Sequence, residues 1–320
     1  GGVYPPLYHA AMGYVYILGA ELPKIITTLF FLSTLLIFFD VTRKYVGATA
    51  ASFFTLLFMI TPEYFSHAAL ALGNLPTTAY VCAAGLCTIA WLDKREEKFF
   101  WIGAMMMGFV VWIRSDTIVF TAAALLLVGI DFLRKRDWTK TMIYGFFATA
   151  PFILWTLYLK FKIHNVPTSK FDFGIGFNSE RWSIVKGYTD AYLFGGTFDY
   201  KGLGAIDGGQ FYGVSFVLFF LTVLANFAFL FFLFYKKSEW KKAVTSQMNI
   251  LIFFFVSLVL YFLLFYFIDE KVQASPMWSL MYSSFKRGLF CFLPLAFFYV
   301  ATSYGSSMLF EKLEKFRTAS

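Results

Sequence analysis

Arg114 and Asp116 lie two residues apart in the run Trp112-Ile113-Arg114-Ser115-Asp116-Thr117, between two apolar stretches. A guanidinium at the recessed tip of a helical hairpin suits the grip of a phosphate by paired hydrogen bonds. The same residues also make a locally neutralised charge pair, and the spacing leaves both readings open. Lys286-Arg287 follows Ser283-Ser284-Phe285 and precedes an apolar run. Basic residues at a membrane border often snorkel; together with Arg114 they would neutralise a lipid-linked phosphate or pyrophosphate. Thr61-Pro62-Glu63-Tyr64-Phe65-Ser66-His67 supplies a carboxylate and an imidazole, both able to do acid–base work. Glu63 would equally cap a following helix. In Gly73-Asn74-Leu75-Pro76, Asn74 reads as an N-cap before a helix opened by Pro76. Two prolines in Tyr4-Pro5-Pro6-Leu7-Tyr8-His9 speak against regular helix and suggest an aromatic clamp at the mouth of a bundle, with Tyr4 and His9 facing its cavity. His9, His67 and His164 are too scattered for a metal-ligand pattern, so no cofactor is expected. Phosphate-loop, dinucleotide, nucleophile-elbow and metalloprotease motifs are absent.

The elements that position these residues are membrane helices. Hydrophobic residues make up 59% of the 320, charged residues 14%, and mean hydropathy is +0.66. Runs of bilayer-spanning length recur along the chain, which predicts an all-α, polytopic transmembrane bundle. Spans are expected over roughly 23–40, 48–61, 67–92, 99–113, 117–133, 141–162, 213–235, 248–268 and 288–309. Every second joint is short and basic: Arg43-Lys44, Asp93 to Lys98, Arg134 to Lys140, Lys236 to Lys242, and the tail from Glu311. These hold 16 of the 27 lysines and arginines, which marks them as cytoplasmic. The net charge of +8 is thereby a matter of topology, and no nucleic-acid partner is expected. The N-terminus comes out external and the C-terminus cytoplasmic, with nine spans. An external N-terminus without a leader is expected to follow one earlier span and its loop. Cys82, Cys87 and Cys291 all lie in apolar runs and suggest neither disulfide nor metal.

Spans 48–61 and 99–113 reach only about 20 Å of a core about 30 Å thick. Their external ends, near Glu63 and Arg114, would stop below the membrane surface, where polar groups need a wetted, protein-lined cavity. The joint from His164 to Tyr212 is too long for a simple connection. It is rich in glycine and holds a helix-like piece, Ser179 to Phe194, with Trp182, Val185, Tyr188 and Tyr192 at helical spacing. A flexible loop with a surface helix and an interfacial cap over the cavity both fit this pattern.

In their order these segments resemble the GT-C glycosyltransferases, in the bacterial branch related to protein O-mannosyltransferases and the lipid A aminoarabinose transferase. Tyr4-Pro5-Pro6-Leu7 is similar to the family's proline-proline-leucine stretch. Thr61-Pro62 followed by Asn74-Leu75-Pro76 resembles its threonine-proline and aspartate-leucine-proline segment, with Asn74 where aspartate is usual. Arg114 resembles its arginine at a helical tip, and His164-Asn165-Val166-Pro167-Thr168-Ser169-Lys170 its loop entrance. Ser284-Phe285-Lys286-Arg287 and Leu293-Pro294 resemble its basic residue, short apolar run and proline.

The resemblance implies one transmembrane domain over 1–320, with 164–212 as its external loop. It also implies transfer of a sugar from a polyprenyl-phosphate donor to an extracytoplasmic lipid, glycan or protein acceptor, in the cell (inner) membrane. Arg114 and Lys286 or Arg287 would hold the phosphate leaving group; Asp116, Glu63, His67, Asn74, His9, Tyr4 and Lys170 would line the substrate site. The family's catalytic carboxylate lies before the double proline, so a base is expected upstream of Gly1. A flippase or transporter of lipid-linked sugars would use the same cations without chemistry. A polysaccharide polymerase or ligase would take a diphosphate-linked donor.

Overall fold

A computed structural model describes residues 6–19, 23–70, 72–162, 171–233 and 237–319. The chain is built almost wholly of helices. Six of these, among the described residues, are long and apolar enough to cross a membrane. That is the pattern of a membrane-embedded helical protein. Nine spans were expected: Ile25–Met59 is one helix among the six, and Glu97–Ile113 and Ser215–Phe229 are shorter than these.

The first difference is at the start. Pro6–Leu18 is helical (α1), although the double proline suggested otherwise. Proline at the first helical position loses only an N–H that has no intrahelical acceptor anyway, and its fixed φ suits the helix. The second difference is α2, Pro23–Met59, which breaks at Gly47 (φ 80°, ψ 171°). Along one straight helix Phe38 and Phe58 would stand about 30 Å apart, yet their rings lie 5.4 Å from centroid to centroid. The two arms therefore fold back on one another, and the positive φ at the bend is one that glycine adopts without Cβ strain. The expected joint at Arg43-Lys44 falls in the turn preceding this bend.

After the short helix α3 (Pro62–Ser66) and a single 3-10 turn at His67–Ala69 come α4 (Asn74–Lys94), α5 (Glu97–Ile113), α6 (Ile118–Lys135) and α7 (Trp138–Lys162). The span expected from residue 67 thus starts at Asn74. α4 is the centre of the bundle: 94% of its apolar window is buried, against 11% for α7 at the periphery. It packs on α2 and α5, and α5 in turn on α7. Gly108 permits that last contact, since a Cβ there would stand 2.2 Å from the Phe147 carbonyl oxygen.

From Phe171 onward, the long joint is a folded cap. Helix α8 (Ser179–Phe194) has the expected bounds, set by Asn178 capping the Arg181 N–H and by Gly195 in a left-handed turn. Its face of Val185, Tyr188 and Tyr192 is buried in protein, so α8 is packed into the molecule more than laid on an interface. The glycine-rich stretch after it forms a two-residue antiparallel pair, β1 (Thr197–Phe198) with β2 (Ile206–Asp207), and then α9 (Gly208–Tyr212). Helices α10 (Ser215–Leu233) and α11 (Lys237–Tyr266) return to the bundle. Two short helices follow, α12 (Glu270–Gln273) and α13 (Met277–Leu280), then a π turn over Met281–Phe285. The same path continues through α14 (Lys286–Leu289) and α15 (Leu293–Thr302), and α16 (Tyr304–Ala319) ends the chain.

Three of the basic joints meet at one end of the bundle. Lys94 Nζ donates to the Lys44 carbonyl at 2.5 Å, Arg95 pairs with Asp131, and Lys140 with Glu97. The joints around Arg114, Glu63 and Lys286 gather at the other end.

Candidate functional site

At that other end a cavity of about 320 Å³ opens between α1, the turns before α4 and α6, and the segment from α11 to α14. Its polar lining includes Asn74, Arg114, Asp116 and Arg287, with His9 and Tyr8. Leu264, Phe265, Ile268 and Leu280 supply apolar lining.

Arg114 ends α5 in an extended conformation (φ −146°, ψ 133°), and the chain re-enters helix through one 3-10 turn. That geometry brings the Asp116 carboxylate alongside the guanidinium. Arg114 Nε donates to Asp116 Oδ1 at 3.0 Å, and Nη2 donates to Oδ2. Only 19% of the Arg114 side chain and 17% of the Asp116 side chain remain exposed. Of the two readings left open, the neutralised pair is the one that forms, as an arginine fork and a carboxylate match edge to edge.

The third guanidinium nitrogen of Arg114 reaches Asn74 Oδ1 at 3.4 Å. Asn74 is not the N-cap that its sequence suggests. Gly73 occupies the cap position, Asn74 is the first helical residue, and the Thr77 hydroxyl takes the Gly73 carbonyl at 2.6 Å. Asn74 is 4% exposed, and its Nδ2 has no hydrogen-bond partner. A buried amide N–H left unmade costs about 1–3 kcal/mol, and this one is closed off from solvent.

The two adjacent cations, expected to act together, separate. Successive side chains diverge by about 100° on a helix, so Lys286 and Arg287 cannot face the same way. Arg287 lines the cavity; its Nε donates to the Ser283 carbonyl at 2.9 Å, and among the described residues no carboxylate pairs with it. Lys286 turns to Glu63, with Nζ 3.1 Å from Oε1 and 3.9 Å from the centre of the Phe211 ring. Tyr212 hydroxyl donates to the Lys286 carbonyl, tying α9 to the same point. The π turn just before Lys286 adds a residue to the helical path, a device frequent at functional sites.

Glu63 and His67 are brought together as their spacing of four residues suggests. His67 Nδ1 lies 2.9 Å from the Glu63 carbonyl oxygen and 4.0 Å from its Oε1, with Ser66 Oγ at 3.3 Å. Burial pulls the imidazole below its ordinary value near 6.5; Glu63 opposes this, while Lys286 and Arg287 add to it. The Glu63–His67–Lys286 cluster lies outside the residues that line the cavity. Tyr4 and Lys170, with the rest of the His164–Lys170 motif, fall outside the described residues.

Sequence reasoning had not chosen Ser284, Phe171 or Gln273, which also line the cavity. Ser284 had a signal, since it precedes Arg287 by three residues on one helical path. Phe171 reaches the wall through an antiparallel bridge to Ile268, a pairing across 97 residues that no local pattern announces. Among the described residues no group of three His, Cys, Asp or Glu side chains is placed to hold a metal. Compared with protein-family models, curated proteins and solved structures, the chain matches none.

Proposed function

We propose that the chain is a membrane glycosyltransferase that takes a sugar from a polyprenyl-phosphate donor, with its reaction site in the cavity shared by Arg114 and Arg287. The observation that carries this reading is the cavity's mixed lining. The Arg114 and Arg287 guanidinium groups share it with the apolar side chains of Leu264, Phe265, Ile268 and Leu280. A phosphate ester on a long hydrocarbon chain combines the same two characters. The segment order that resembles the GT-C family supports the choice among lipid-phosphate chemistries.

Arg287 would bind the phosphate directly, and Arg114, held by Asp116, would add a second guanidinium beside it. Negative charge grows on the phosphate as the sugar leaves, and donors fixed in a water-poor cavity stabilise that charge without reorganising. With the basic joints on the cytoplasmic side, the cavity opens extracytoplasmically and the bundle crosses the bilayer nine times.

Proteoliposomes containing the full-length protein and a labelled polyprenyl-phosphate sugar test the proposal. The expected result is label transferred to acceptor in the wild type and lost in Arg287→Ala. Wild-type turnover in that variant would remove the phosphate site. Label that crosses the membrane still attached to its lipid would make the protein a transporter.

A further inference from the structure

A second cleft, of about 300 Å³, lies on the cap and shares no lining residue with the phosphate cavity. Ile184 and Met277, both buried, line it. So do Trp278 and Tyr200, together with the polar Asn178, Glu180 and Glu270.

Four charged groups stand in or beside this cleft, and they cancel in pairs. Lys201 Nζ sits 2.7 Å from Glu180 Oε1, and Arg181 Nη1 is 3.4 Å from Glu270 Oε2. Arg181 is committed further, since Nε donates to the Tyr266 carbonyl at 2.5 Å and Nη2 to that of Ile268. The cleft therefore offers a charged ligand no uncompensated charge. Hydrogen-bonding capacity nevertheless remains. Glu180 uses Oε1 for both Lys201 and Tyr200, which leaves Oε2 open. Asn178 Oδ1 caps α8, and among the described residues its Nδ2 makes no hydrogen bond. Two carboxylates offer more acceptor sites than their present partners fill.

We infer that this cleft binds a neutral saccharide. A sugar ring presents hydroxyl donors to carboxylates, hydroxyl acceptors to an amide, and an apolar C–H face to an aromatic ring. Glu180 and Glu270, Asn178, and Trp278 with Tyr200 supply those three complements around one space. The volume is at the small end for ligand pockets. The α12–α13 segment separates the two sites, with Gln273 and Leu280 lining the phosphate cavity and Glu270 and Met277 lining the cleft. A saccharide held in the cleft would thus border the site of transfer, although the binding itself does not depend on the proposed reaction.

Calorimetric titration of the detergent-solubilised full-length protein with maltotriose, chitotriose and mannotriose tests the inference. Saturable binding of at least one trisaccharide is expected, weakened about tenfold in Trp278→Ala and in Glu180→Gln. Glu180 is exposed, so Glu180→Gln is expected to fold even if loss of the larger Trp278 ring disturbs the cap. Arg287→Ala should bind the same trisaccharide as the wild type, which keeps this result separate from any failure of the phosphate site. The inference is overturned if none of the three binds saturably, or if neither variant changes the affinity.

Discussion

Lys286 Nζ lies 3.1 Å from Glu63 Oε1, while the next residue, Arg287, lines the cavity that Arg114 also borders. One ion pair thereby fixes the helical segment that presents the cavity's cation. Only 12% of the Glu63 and 18% of the Lys286 side chain are exposed, so removing one partner leaves a poorly solvated charge. Glu63→Ala should lower stability by about 2–3 kcal/mol, below the cost of a fully buried pair. Combining it with Lys286→Met should recover most of that loss. Thermal unfolding of the detergent-solubilised variants measures both.

Arg114→Ala leaves the Asp116 carboxylate without its partner. We expect a loss of about 3 kcal/mol in stability together with loss of sugar transfer. The double variant Arg114→Ala/Asp116→Ala should regain stability and remain inactive. Recovery of transfer in the double variant would show that the pair serves folding alone.

Among the described residues no carboxylate pairs with Arg287, so Arg287→Ala should unfold like the wild type. Its transfer rate should fall about 100-fold, the scale for removing one donor from a developing oxyanion. Arg287→Lys, which keeps charge but loses the planar fork, should recover only part of that rate. Single-turnover measurements with saturating donor distinguish this from weaker donor binding.

His67 makes stability depend on pH. Its folded pKa is lowered by burial and by Lys286 and Arg287, against the pull of Glu63, whereas the unfolded imidazole titrates near 6.5. The unfolded chain therefore binds the proton more readily. Stability is fully present above pH 6.5 and is lost as pH falls through the folded value. A melting temperature that declines on acidification in the wild type should decline less in His67→Gln; equal slopes would assign the effect to other groups.

Gly288 approaches α11 so closely that a Cβ would lie 1.7 Å from the Tyr261 hydroxyl oxygen. Gly288→Ala should cost about 3 kcal/mol, the upper range for overpacking, and should reduce transfer by displacing the adjacent Arg287. Unfolding temperature and turnover in one preparation test both effects.

Much of the fold is written locally. Apolar run lengths give membrane helices, Asn178 and Gly195 delimit α8, and charge marks the basic joints that meet at one end. The sequence also locates Arg114 at a helical joint and Glu63 one turn from His67. Tertiary structure decides the rest. A helical pattern orders faces relative to one another, but packing partners far along the chain set which face meets the cavity. Thus Arg287 enters it and Lys286 turns to Glu63, with a π turn altering the path just before them. Asn74 reads locally as a cap and becomes a partner of Arg114 only because α4 and α5 pack side by side. The spacing of Arg114 and Asp116 permitted both a free cation and a closed pair; the extended backbone at Arg114 selected the pair.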